Sequence, residues 1–159
     1  MSESKIERYL VVKDKNGDDI AVENPEYTKK IQNEKYDLFL KKSGIPAFYY
    51  DIDFKDYFGQ QHSEELRKIK YYADHCHEEK FKYVSLYLWG AQGTQKSALA
   101  CNILKHAMKN GLRCKFILAS DLIDKLIKTS GYSKDEEIEE EIDDLKSCDL
   151  ICVDDLGDV

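Results

Sequence analysis

The apolar positions of the chain follow one pattern up to about residue 82 and another after it. Tyr9, Leu10, Val11 and Val12 form a short apolar run, and Ile20, Ala21 and Val22 form a second. The polar stretch between them contains Asn16-Gly17, which supplies the positive-φ residues of a tight hairpin. Asn24 before Pro25 reads as a helix cap followed by proline at the first helical position. The helix it predicts runs to about residue 42, with Tyr27, Ile31 and Leu38 at helical spacing. Ser43, Gly44, Ile45 and Pro46 stop it. Residues 48–58 are crowded with aromatic side chains. They can stack on bases, or form an irregular segment wrapped over a core, which is the simpler reading. A helix over residues 63–80 follows, capped by Ser63, with Leu66, Ile69, Tyr72 and Ala73 on one face.

From Tyr83 onward, strand and helix patterns alternate. Apolar runs at residues 83–89, 113–119 and 149–153 predict three strands. Between them lie a helix over residues 97–110, ended by Gly111, and a second that Ser120 caps and that runs to about residue 128. After a loop over residues 129–134, a third helix reaches about residue 147. Ile138, Ile142 and Leu145 keep an i, i+4, i+7 stripe through that last helix, so its acidic residues form the solvated face. The order β-α-β-α-α-β predicts a parallel sheet flanked by helices. Three regions result: a small α+β part over residues 1–42, a lead-in over 43–82, and an α/β core over 83–159.

Charge refines this picture. The chain carries 24 basic and 31 acidic side chains, a net −7. Residues 90–159 hold 9 basic and 14 acidic ones, and eight of the ten residues from 135 to 144 are acidic. Such a balance is not the footprint of a strong, autonomous DNA binder. No apolar run reaches 18 residues, which excludes a spanning segment in this sequence. The first ten residues lack a basic-then-apolar signal layout. Five cysteines, an odd number, then read as free thiols in a reducing, cytoplasmic compartment. His75, Cys76 and His77, with His62 nearby, point in different directions on a helix and do not predict a metal site.

The chemistry concentrates between the first strand of the core and the helix after it. Gly90, Ala91, Gln92, Gly93, Thr94, Gln95, Lys96, Ser97 and Ala98 have the layout of a phosphate-binding loop entering a helix. Glycines let several backbone N–H groups converge on one point, and the helix N-terminus adds its positive end. Lys96 supplies a point charge for the β and γ phosphates of ATP, and Ser97 a hydroxyl for Mg²⁺. Asp154 and Asp155 end an apolar strand some way downstream and face the same sheet edge. Asp154 is placed to hold Mg²⁺ and Asp155 to polarise an attacking water. Gln95 is the misfit. Glycine is usual before the lysine, so the side chain is expected to weaken nucleotide binding, offset in part if Gln92 and Gln95 donate hydrogen bonds to phosphate.

Residues 86–97 together with residues 149–157, which end in Asp154-Asp155-Leu156-Gly157, resemble the DnaC/DnaI-type replicative-helicase loaders and their IstB-type relatives among the AAA+ ATPases. Ser43-Gly44-Ile45-Pro46 and Asp53-Phe54-Lys55-Asp56-Tyr57 are also similar to that family, over roughly residues 43–159. The resemblance implies an α/β P-loop NTPase sheet that uses ATP and Mg²⁺, with Lys96 and Asp155 catalytic and Ser97 and Asp154 on the metal. It implies hydrolysis of ATP, a replicative DNA helicase as partner, single-stranded DNA in the assembled complex, and contacts between copies. The family's sheet places a further strand between the first and third strands seen here, followed by an arginine and a lid. These 159 residues are therefore expected to be the front part of a longer protein. Alternatives are an IstB-like transposition helper, an ATP-independent adaptor that binds the helicase, and a small-molecule kinase.

Overall fold

A computed structural model describes residues 7–59, 63–130 and 136–157. At the front, β1 (Tyr9–Lys13) and β2 (Asp19–Glu23) pair as an antiparallel hairpin with Tyr9 opposite Glu23 and Lys13 opposite Asp19. Of Asn16 and Gly17 only the glycine takes positive φ, at 87°. Asp14 organises the rest of the turn, its Oδ1 accepting the N–H groups of Asn16 and Asp18. Tyr9, Leu10, Val11, Val12 and Ile20 are all exposed.

α1 (Pro25–Lys42) begins where expected, with Asn24 Oδ1 accepting the Glu26 N–H at 3.0 Å. It ends at Ser43, and Gly44 follows at φ 78°. The glycine is required twice over, because a Cβ there would stand 2.6 Å from the carbonyl oxygen of Phe116. The packed face of α1 differs from the expected one. Tyr36, Phe39 and Leu40 lie against the core, whereas Ile31 and Leu38 are exposed. Helical spacing fits more than one stripe, and the neighbouring helix decides which is covered.

The aromatic segment folds as two short 3-10 turns, Ala47–Tyr49 and Phe54–Asp56. It is partly the core cover expected, since Phe54 is buried, but Phe48 and Phe58 are exposed. Lys105, itself buried, holds the segment by donating from Nζ to the carbonyl oxygens of Tyr49 (2.7 Å), Tyr50 (3.2 Å) and Ile52. α2 (Glu64–His75) is capped by Ser63 and stops well short of residue 80, giving way to a 3-10 turn at Glu79–Phe81.

The core centres on α3 (Lys96–Lys109), which packs against α1, α2, β3 (Cys114–Leu118) and β4 (Leu150–Asp154). Leu104, Ala107 and Met108 meet Ile45, Cys114 and Phe116 on one side, and Leu99 and Ile103 meet Phe54, Leu66 and Tyr72 on the other. β3 and β4 run parallel, Cys114 beside Leu150 and Leu118 beside Asp154. α4 (Ala119–Ser130) and α5 (Glu136–Ser147) form the crossover between them. Ser120 does not cap α4 but lies inside it, because the helix starts directly from the strand at Ala119. Thr129 and Ser130 are helical too, and the rest of the expected loop lies outside the described residues. Ile142 of α5 is buried and the acidic side chains face outward, as the stripe predicted.

The first expected strand of the core is absent as a strand. Residues 84–90 form no regular element and pair with no strand among the described residues, where the parallel sheet contains β3 and β4 alone. A groove of about 650 Å³ separates this segment from β4, lined on one side by residues 84–90 and on the other by residues 150–157. Strands hydrogen-bond only when about 4.8 Å apart, so an intervening groove leaves both edges open.

Candidate nucleotide site

The loop that enters α3 has the backbone its glycines permit. Gly90 lies at φ 149° and Gly93 at 79°, and Thr94 Oγ1 donates to the Ala91 carbonyl at 2.8 Å. Lys96 curls its ammonium over the loop, donating to the carbonyl oxygens of Gly90 (3.1 Å) and Ala91 (3.0 Å). A cation there lies at the positive end of α3, where a phosphate is favoured. Gln92 is exposed, and Ala98 is buried in the first turn of the helix.

Gln95 stands at φ 60°, ψ 27°, the left-handed region that glycine would enter freely. Its side chain reaches away from the helix, and Oε1 accepts the Phe58 N–H at 2.9 Å. The conformational misfit read from the sequence is therefore real, but the carbonyl end of the carboxamide is committed to the aromatic segment. Asp155 also has positive φ, 57°, so the chain turns sharply at the end of β4. Aspartate tolerates that region better than most residues.

Ser97, Asp154 and Asp155 border one groove of about 630 Å³. Lys96, Asp154 and Asp155 also border the groove between residues 84–90 and β4. The carboxylates thus sit where the two grooves approach each other, beside the helix N-terminus. Of the expected site residues, Gly90, Gln92, Lys96, Ser97, Asp154 and Asp155 line one groove or the other, Ala91, Gly93 and Thr94 belong to the loop without lining either, Gln95 turns to Phe58, and Ala98 packs inward. Oxygen donors from Ser97 and Asp154, with Asp155 next to them, form a hard-ligand set suited to Mg²⁺ with phosphate. Among the described residues, no group of three or more His, Cys, Asp or Glu is arranged to hold a metal by itself. His75, Cys76 and His77 form no such cluster, and His62 lies outside the described residues.

Tyr49 is the residue that sequence reasoning missed. It lines the groove with Ser97, Asp154 and Asp155. Burial raises its phenol above the usual value, as do the nearby thiol of Cys101 and the Asp154 carboxylate, while a hydrogen bond with Ser97 acts the other way. Its place depends on Lys105, which lies far along the chain, so no local signal marked it. Burial in turn pulls the Lys105 amine below its ordinary value.

A glycine-bearing loop with lysine at a helix N-terminus, set beside carboxylates that end a parallel strand, defines a P-loop nucleotide-binding fold. A model of the IstB-like ATP binding protein family matches residues 29–159, and the chain belongs to that family. The match starts within α1, ahead of the lead-in that carried the resemblance. No curated protein and no solved structure matches the chain. No helix among the described residues is long and apolar enough to cross a membrane.

Proposed function

We propose that this ATP-binding AAA+ protein is a helicase loader, which uses ATP to engage a replicative DNA helicase and assist its placement on single-stranded DNA. The observation that carries the ATP part is the shared groove of Ser97, Asp154 and Asp155 beside the loop lysine. With ATP bound, Lys96 would turn from the loop carbonyls to the β and γ phosphates. Ser97 and Asp154 would hold Mg²⁺, and Asp155 would orient a water toward the γ phosphate. Bound Mg²⁺ supplies charge neutralisation of the triphosphate. The exposed apolar hairpin of β1 and β2 supports the partner-binding part, since such a surface suits docking against another protein. The DNA contact belongs to the assembled complex, because the solvent face of α5 is acidic.

The family description favours a second reading, an IstB-like transposition helper. An ATP-independent adaptor differs from both in needing no nucleotide. Lys96→Ala tests the reading: ATP binding is lost in calorimetry, and helicase loading on single-stranded DNA is lost with it. Val11→Asp in the hairpin keeps ATP binding and loses the helicase. Loading that survives Lys96→Ala assigns the adaptor role instead, and a wild-type chain that never binds the helicase removes the loader.

A further inference from the structure

Gln95 costs the loop conformational strain, and its side chain makes no capping bond to α3. Its one described polar contact spans 37 positions of chain, to the backbone of Phe58. That ring is 76% exposed and lies parallel to the ring of Tyr57, with centroids 6.5 Å apart and planes 11° apart. The Tyr57 ring in turn folds over Gly59, where any Cβ would collide with it. A large apolar ring is thus held in solvent, one hydrogen bond away from the phosphate-binding loop. The combination suits a ligand that is anionic at one end and flat and aromatic at the other.

We propose that Gln95 is a positioning residue whose carboxamide ties the Tyr57–Phe58 aromatic step to the phosphate-binding loop, so that the loop sets the place of the ring that meets the base of a bound nucleotide. The inference rests on the ATP-binding reading and deepens it. The strained backbone at position 95 is then offset by a contact that glycine, the residue usual in such loops, cannot make. Phosphate affinity and base affinity become separable properties: the first belongs to the loop and Lys96, the second to the tie between Gln95 and Phe58.

The test compares ATP with inorganic tripolyphosphate, each with Mg²⁺, binding to the full chain in calorimetry. Gln95→Gly removes both the strain and the tie. Strain relief acts on both ligands alike, so the diagnostic quantity is the ratio of the two affinities. Loss of one hydrogen bond lowers that ratio in favour of tripolyphosphate by about fivefold. Gln95→Glu keeps an oxygen that accepts the Phe58 N–H. Its charge weakens both ligands and leaves the ratio within about twofold of wild type. Phe58→Pro removes the donor and the ring together and so sets the floor of the ratio, and Tyr57 already has the φ −69°, ψ 119° backbone that a following proline requires. Adding Gln95→Gly to Phe58→Pro lowers the ratio no further. An unchanged ratio in Gln95→Gly, or a Gln95→Glu ratio as low as that of the glycine variant, overturns the proposal. If wild type binds neither ligand, the ATP-binding reading falls first. If it binds both and only the variants disagree, the tie alone is wrong.

Discussion

The two flanks of the phosphate-binding loop are both rich in apolar residues and opposite in structure. Behind the loop, α3 buries nine residues against two helices and a parallel strand pair. In front of it, residues 83–89 leave Tyr83 at 90%, Tyr87 at 73% and Trp89 at 81% exposure. A helix closes its own backbone hydrogen bonds and needs neighbours only for its side chains. An extended segment needs neighbours for both. The same hydrophobic demand is therefore met on one side of the site and left open on the other, and the loop is anchored chiefly through α3.

Substitution tests that contrast directly. Leu104→Ala, deep in α3 at 2% exposure, is expected to destabilise the chain by about 2–5 kcal/mol in urea unfolding. Tyr87→Ser in the front segment is expected to change it by less than about 0.5 kcal/mol. Equal effects would mean that the front segment is packed in solution, and the contrast would collapse. A smaller loss tests the reach of α3 into the aromatic segment. Lys105→Met leaves the carbonyl oxygens of Tyr49, Tyr50 and Ile52 without their shared donor, at a cost of about 1–3 kcal/mol by the same measurement. No loss would show that the segment is held by Phe54 alone.

A last test is a pH dependence set by thiols around α3. Burial pushes Cys101 and Cys152 from 9.0 up to about 12, each also raised by the nearby Asp154 carboxylate. Because the folded state keeps these protons longer than the unfolded one, the stability they contribute is complete below about pH 9. It declines as pH rises from there toward 12. Lys105 has the opposite sign, since its folded amine is lowered and stability is gained as pH rises toward its unfolded 10.5. In the Lys105→Met background the alkaline decline is therefore steeper than in wild type, measured as unfolding midpoints from about pH 8 to about pH 11. A decline no steeper than that of wild type would mean that burial does not lower the Lys105 amine, and no decline above about pH 9 in the variant would place the thiols in contact with solvent.

What the sequence disclosed follows from how local each signal is. The caps at Asn24 and Ser63 and the stops at Gly44 and Gly111 are decided by a few neighbouring residues, and they stand where the sequence put them. The loop, the lysine and the strand-end aspartates were legible for the same reason. The packed stripe of α1 was not, because Tyr36, Phe39 and Leu40 are chosen over Ile31 and Leu38 by α3, a partner distant in sequence. The strand at residues 83–89 failed as an expectation because its apolar run carries the propensity for pairing but does not contain the partner. Tyr49 beside Ser97 and Gln95 bound to Phe58 were likewise invisible, each set by a contact between distant parts of the chain.

The open edge of β4 and the bare ribbon of residues 84–90 also govern how molecules of this chain behave toward one another. Exposed strand edges and contiguous apolar surface are templates for sticking. A net charge of −7, much of it on the outer face of α5, makes copies repel over roughly a Debye length. Salt shortens that range and leaves the apolar attraction in place. The acidic helix thus acts as a colloidal guard for the open side of the sheet, and its protection is strongest in dilute electrolyte.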